Sequence, residues 1–282
     1  MVEHRYGRPH GRGGGAFAVT AVLVGSLVGT VTVTGCAAPD DPKAAAATDP
    51  ALAVRDAADA LARAGTSKAG TSMEMASGGT RVTIRGEGSY DFRRRTGRLQ
   101  VLLPRDPAGT SEHRPITELL TPGALYMKNR GAGVPADKWV RVDTTTLDDG
   151  NLVTGGATDP AAAAELLRGA REVVYVGEVE LAGVKVSHYR GVADIARAAR
   201  AASPQLRGAL TAAAKGFADD TVPFDAYLDG EGRLRKVRHQ FSFSNQGRTV
   251  AVASTTLLYG FGVPVEVVLP DRRDIYAGKI KA

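Results

Sequence analysis

The sequence predicts an α+β fold in which an antiparallel sheet with one apolar face is covered by amphipathic helices. Three observations lead there. Long stretches alternate apolar and polar residues at period two between glycine turns. Two segments opened by Asp-Pro change to a spacing of three and four. The composition, 43% hydrophobic with only 7 Phe, 8 Tyr and 1 Trp in 282 residues, calls for a core built mainly from Val, Leu, Ile and Ala.

The elements follow in order from residue 49. Asp49-Pro50 supplies an N-cap and a first-turn proline, and Val54, Ala57, Ala58 and Leu61 recur on one face until Gly65, which predicts a single helix. From Thr66, Met73 and Met75, then Val82 and Ile84 across the Gly78-Gly79 turn, then Tyr90 and Phe92, alternate with polar residues. Leu99, Val101 and Leu103 continue across Thr96-Gly97, followed by Leu125 and Met127, then Val140 and Val142. These predict a meander with one apolar face. Asp159-Pro160 opens a second helical zone with Leu166 and Leu167, and strands over 172–179 and 184–189 turn at Ala182-Gly183. A helix over 193–202 precedes another after Ser203-Pro204, with Leu206, Leu210 and Phe217 on its stripe. Phe224, Ala226 and Leu228 lead through Asp229 to Gly232 into a strand over 234–243, and a last strand spans 249–259. Leu234 and Val237 differ in parity although both are apolar, so a bulge is expected at Arg235-Lys236.

The N-terminus carries a different signal. Arg5, Arg8 and Arg12 precede an uncharged run from Ala16 to Thr34, the order of a secretory leader, and Val33-Thr34-Gly35-Cys36 closes it with small residues before the only cysteine. This stretch resembles a bacterial lipobox, which implies diacylglyceryl attachment to Cys36 and cleavage before it. A transmembrane helix is the competing reading, and either one leaves the rest of the chain outside the cytoplasm because the basic leader stays inside. The expected layout is a signal peptide over 1–35, a lipid-anchored tether over 36–48, rich in Ala with Pro39 and Pro42, and a single domain over 49–282. The expected location is the outer face of the cell membrane.

Most chemistry is excluded by what the sequence lacks. With one Cys there is no internal disulfide and no thiolate zinc cage. His113, His188 and His239 are too far apart to form a short metal-ligand pair, so no metal or cofactor is expected. Gly65-Thr66-Ser67-Lys68-Ala69 misses the nucleophile elbow at its last position, no P-loop is present, and no catalytic residue is assigned. Removing residues 1–35 takes away three basic residues and one acidic residue, lowering the net charge from +6 to +4. That is too little for a nucleic-acid partner and compatible with weak attraction to anionic lipid head groups. The basic groups Arg93-Arg94-Arg95-Arg98 and Arg233, Arg235, Lys236, Arg238 border turns, where they protect strand edges or, alternatively, flank a cavity mouth.

Several strand and turn patterns are more specific. Ala124-Leu-Tyr-Met-Lys128 followed by Lys138-Trp-Val-Arg141, the run Val184-Lys-Val-Ser-His-Tyr-Arg-Gly191, and Phe224-Asp-Ala-Tyr-Leu-Asp-Gly230 with Gly232-Arg-Leu-Arg-Lys-Val-Arg238 resemble the LppX/LprAFG lipoproteins. The resemblance implies a half-barrel like that of the LolA and LolB carriers, a strongly curved antiparallel sheet folded over several helices. It also implies a hydrophobic pocket for acyl chains, so that the ligand is a lipid or glycolipid carried or chaperoned through the envelope. Alternation looks the same for an open cleft and a dry core. The pocket candidates are Met73, Met75, Ile84, Phe92, Val101, Met127, Leu210 and Phe241. The alternative function is an envelope interaction or lipid-sensing module that regulates a membrane partner, as the resembling RseB/MucB sensors do; which protein that partner would be is unknown.

The lipobox makes a direct prediction. Two acyl chains on Cys36 anchor what one chain cannot, at roughly 0.8 kcal/mol per buried methylene. Cys36→Ser should abolish metabolic fatty-acid labelling and release the protein from the membrane fraction, whereas unchanged labelling would discard the assignment.

Overall fold

The computed structural model describes residues 49–104, 114–130, 133–147, 149, 152–153, 158–245 and 248–278. The leader, the tether and Cys36 lie outside the described residues. Strands β1 (Thr66–Ser77), β2 (Thr80–Asp91), β3 (Thr96–Leu102), β4 (Ile116–Thr121), β5 (Ala124–Lys128), β6 (Trp139–Asp143), β7 (Ala170–Leu181), β8 (Val184–Asp194), β9 (Thr221–Asp229), β10 (Leu234–Asn245) and β11 (Arg248–Tyr259) form one sheet. Its spatial order is β6-β5-β4-β3-β2-β1-β11-β10-β9-β8-β7, with every pairing antiparallel. Two meanders therefore meet at the β1–β11 pair, and the sheet stays open, with β6 and β7 as its edges.

Alternation decides which face is buried. In β1 the odd residues from Ser67 to Met73 are buried; in β11 the even residues from Val252 to Leu258 are; in β10 Val237, His239 and Phe241 are. The neighbouring residues face outward. Glycines in this sheet stand where a side chain would collide. A Cβ on Gly88 would lie 1.9 Å from the Arg98 carbonyl oxygen, so β2 and β3 approach more closely there than side chains allow. A Cβ on Gly97 would lie 2.4 Å from the Tyr90 ring, so that glycine makes room for the ring. The fold is thus the α+β half-barrel expected, and the bulge is found between Leu234 and Lys236.

Five helical segments cover the inner face: α1 (Pro50–Arg55), α2 (Ala57–Ala64), α3 (Pro160–Leu166), α4 (Ile195–Ala201) and α5 (Pro204–Gly216). The Asp-Pro starts work as the sequence indicates. Asp49 Oδ1 accepts from Ala51 N at 2.9 Å, and Asp159 Oδ1 accepts from Ala161 N at 2.8 Å and from Ala162 N at 3.4 Å. The single first helix expected is interrupted at Asp56, a one-residue turn at φ −80°, ψ −8° whose N–H bonds to Leu52 O. Every residue of α3 is buried, four of them alanines, which lets its backbone lie close to its neighbours.

A buried carboxylate ties this cover to the sheet. Glu165 at the end of α3 receives Arg95 from the β2–β3 turn at 3.0 Å, Arg168, and the Ser203 N–H between α4 and α5 at 3.3 Å. Arg168 also forks onto Asp59 of α2 at 2.6 and 3.0 Å. Charged pairs this enclosed are costly to break singly, because the remaining partner is left buried and bare. At the far end the chain returns to β6: Tyr276 N donates to Trp139 O at 2.8 Å and Lys138 Nζ to Arg273 O at 2.9 Å. That segment covers one of the two sheet edges.

The sequence reading has no counterpart to β4. Ile116-Thr117-Glu118-Leu119-Leu120-Thr121 breaks alternation because Leu119 is buried beside Leu120, and because Glu118 occupies an inward position. The close approach at Gly88 is testable by comparison with Gly70, whose Cβ would only touch Leu257 at 3.9 Å. Gly88→Ala should lower stability by about 1–3 kcal/mol, the range for forced overpacking, and Gly70→Ala by much less, in chemical denaturation.

Candidate functional site

The inner face of the sheet gathers the predicted pocket residues. Met73, Ile84, Phe92, Val101, Met127, Leu210 and Phe241 are buried members of one core cluster, and Met75 is half-buried and packed against it. Met73 stands directly opposite Ile84, Met75 opposite Val252, and Val252 opposite Phe241, so four candidates share the middle of the sheet. Phe241 stacks on Phe217 at the end of α5, with ring centres 4.5 Å apart and planes 9° apart. Val101 and Met127 lie farther along the same face, and Leu210 belongs to the helical cover. Met75 and Phe241 also line a cavity of about 260 Å³ with Glu74, Arg81, Arg238 and Gln240.

The inner face is not purely apolar. Glu118 is 0% exposed and neither of its carboxyl oxygens has a hydrogen-bond partner. Burial holds its pKa well above the usual carboxylate range, nearby Asp159 adds to that, and Arg130 opposes it. Asp159, also raised chiefly by burial, caps α3 and lies close to Tyr90. Next to it, the Thr158 and Ser254 hydroxyls bond to each other. His239 is buried with an unpartnered Nε2, and burial alone pushes its pKa down to about 4.

His188 has a partner that the sequence did not reveal. Its Nε2 lies 2.7 Å from Asp225 Oδ1, which also accepts from Arg190 Nε at 3.0 Å. The imidazole stacks on Tyr227 at 4.3 Å. Asp225 and Tyr227 alternate along β9 with the core residues Phe224, Ala226 and Leu228, so this group lies on the outer face of the sheet, brought together by the β8–β9 register, His188 opposite Tyr227 and Arg190 opposite Asp225. Members of both basic groups are engaged as well. Arg93 donates to the carbonyls of Ala62 and Arg63 at the end of α2, and Arg95 pairs with Glu165. Arg233 pairs with Asp229 and Glu231, and Arg235 lies 3.6 Å from Asp229.

No protein-family model matches the chain, and no curated protein matches it. Solved structures similar to it include the lipoprotein LppX of Mycobacterium tuberculosis, with 10% identity and a TM-score of 0.43, covering 78% of this chain and 98% of that one. LprF from Mycobacterium bovis is 12% identical with a TM-score of 0.39, over 78% of this chain and 96% of that one. MucB in the Pseudomonas aeruginosa MucA/MucB complex is 14% identical with a TM-score of 0.33, over 82% of this chain and 61% of that one. LppX and LprF are members of the lipoprotein group that the strand and turn patterns resemble.

The buried imidazole sets a pH dependence. The unfolded chain protonates His239 below its ordinary value of 6.5, whereas the folded chain refuses the proton until about pH 4. The stability involved is therefore full above pH 6.5 and lost as pH falls toward 4, up to about 3 kcal/mol. Glu118 and Asp159 act in the opposite sense, losing stability as pH rises above the ordinary carboxylate range. The difference between wild type and His239→Leu isolates the histidine: as pH falls from 6.5 to 4, denaturation midpoints should show wild type losing stability relative to the variant by up to about 3 kcal/mol. Parallel profiles would contradict the assignment.

Proposed function

We propose that this chain is an exported lipoprotein, held at the outer face of the cell membrane through Cys36, that binds the acyl chains of a lipid or lipoglycan between its sheet and its helices. In this reading it carries or chaperones the lipid through the envelope and catalyses no reaction. One observation carries the proposal. The open sheet presents a largely apolar inner face, with flexible Met73, Met75 and Met127 on it, beneath a cover made of short helical segments that contribute mostly alanine. Acyl chains sliding under such a cover would exchange helix contacts for lipid contacts of similar area, at roughly 25 cal/mol per Å² of apolar surface kept from water. Methionine adapts to that exchange because its side chain is unbranched and polarizable.

A protein-binding role is favoured by a separate feature. The edge strand β7 exposes Val174, Tyr175 and Val176 to 56%, 51% and 50%, and two register shifts interrupt its pairing with β8. An exposed apolar edge suits strand addition by a partner. Full-length protein purified in mild detergent from a lipid-replete bacterial host should yield, on solvent extraction and mass spectrometry, close to one equivalent of acyl lipid. Lipid-free protein that also takes up no added phospholipid or glycolipid would overturn the carrier reading and favour the envelope interaction module.

A further inference from the structure

The inner face concentrates polar atoms that the packing leaves without partners. Among the described residues eight buried side-chain N and O atoms lack a hydrogen bond, and six of them belong to Ser67, Thr71, Glu118, His239 and Thr256. All five side chains occupy inward positions of β1, β4, β10 and β11. Interiors pair their polar groups because a bare one forfeits the hydrogen bonds it made to water. Such groups gathered on one face of one sheet point to a ligand that completes them.

Their placement is specific. Thr71 and Thr256 stand directly opposite each other on β1 and β11. On the other side of Thr71 the register places Gly86, with Val101 beyond it, and the adjoining row holds Ala69 opposite Gly88. Thr71 therefore has glycine on its β2 side and small residues in one adjoining row, while Met73 and Ile84 form the row on its other side, so two facing hydroxyls lie beside the apolar candidates. His239 lies opposite Ser254, two residues from Thr256 along β11. Glu118 stands across Leu99 from Gly88.

The five groups also define a chemistry. None is a Lys or Arg, and burial favours the neutral forms of Glu118 and His239. Hydroxyls, a neutral imidazole and a carboxyl group exchange hydrogen bonds with hydroxyl and ester oxygens, whereas a phosphate is better met by cations. Resting on the lipid-binding reading above, we propose that the inner face around Thr71 and Thr256 seats the hydroxyl or ester groups of a neutral, acylglycerol-like amphiphile, and so selects it over bare hydrocarbon. Leaving those hydroxyls unpaired in the closed protein lowers its stability, so the site trades stability for recognition.

The test uses full-length wild type and the Thr71→Val/Thr256→Val variant in mild detergent, captured on resin and offered radiolabelled monopalmitoylglycerol or n-hexadecane. Wild type should retain more monopalmitoylglycerol than hexadecane. The variant should retain about tenfold less monopalmitoylglycerol, the scale of a lost pair of hydrogen bonds, with hexadecane unchanged. It should also melt at the same temperature or higher, because near-isosteric valines remove bare hydroxyls. A wild type without preference, equal loss of both probes, loss of neither, or a variant of lower melting temperature would overturn the polar seat and leave lipid binding standing. Wild type that retains neither probe would overturn lipid binding, and this proposal with it.

Discussion

An open sheet with one apolar face cannot remain uncovered in water, and that constraint organises this molecule. Eleven strands put most of their Val, Leu, Ile, Met and aromatic side chains on one side, and the helices shield them. Alanine sets how closely they do so. The fully buried α3 and the alanine faces of α2, α4 and α5 bring helix backbone near, with little side-chain volume in between. What fixes the cover in place is largely polar: the Glu165 junction joins the β2–β3 turn to α3 and to the α4–α5 link, and Arg168 extends it to α2. Small apolar contacts and a few strong polar ties describe a cover with defined attachment points rather than an interdigitated second layer.

The polar groups inside complicate the picture of a greasy cleft in a useful way. A pure hydrocarbon site would need only the apolar face, yet β1, β4, β10 and β11 place hydroxyl, carboxyl and imidazole groups within it. In the closed protein these groups oppose folding, and their opposite pH sensitivities partly offset one another. A structure that keeps several such groups on its inner surface has given up stability at the position where a ligand would make contact. The exposed apolar edge of β7 is a second departure from surface rules, at the opposite end of the sheet from the edge closed by the C-terminal segment.

Much of the fold was legible because local signals and the tertiary structure agree. Period-two parity assigns the inner face correctly at Met73, Ile84, Val101 and Phe241; the Asp-Pro pairs start helices at Pro50 and Pro160; and the parity change from Leu234 to Val237 marks a real bulge. The signal fails where tertiary demands override it. β4 was missed because Glu118 takes an inward position and Leu119 is buried on the other face, so its pattern does not alternate. The break at Asp56 leaves the apolar stripe of the first helix intact, and the stripe hides it. The His188–Asp225 pair, the Thr71–Thr256 pair and the Glu165 junction depend on registers and contacts between segments far apart in sequence, which no single-chain spacing encodes. Whether the inner face is a core or a seat was not legible either, since the same side chains serve both.

The central claim is that the space between sheet and helices admits lipid, and a crystal structure of the protein purified without removing bound lipid tests it most directly. The account predicts continuous, chain-like density between α5 and the inner face, beside Met73 and Phe241, with the polar end of the molecule against Thr71 and Thr256. Helices packed on the sheet with no such density, or lipid bound only on the outer face or along β7, would contradict it.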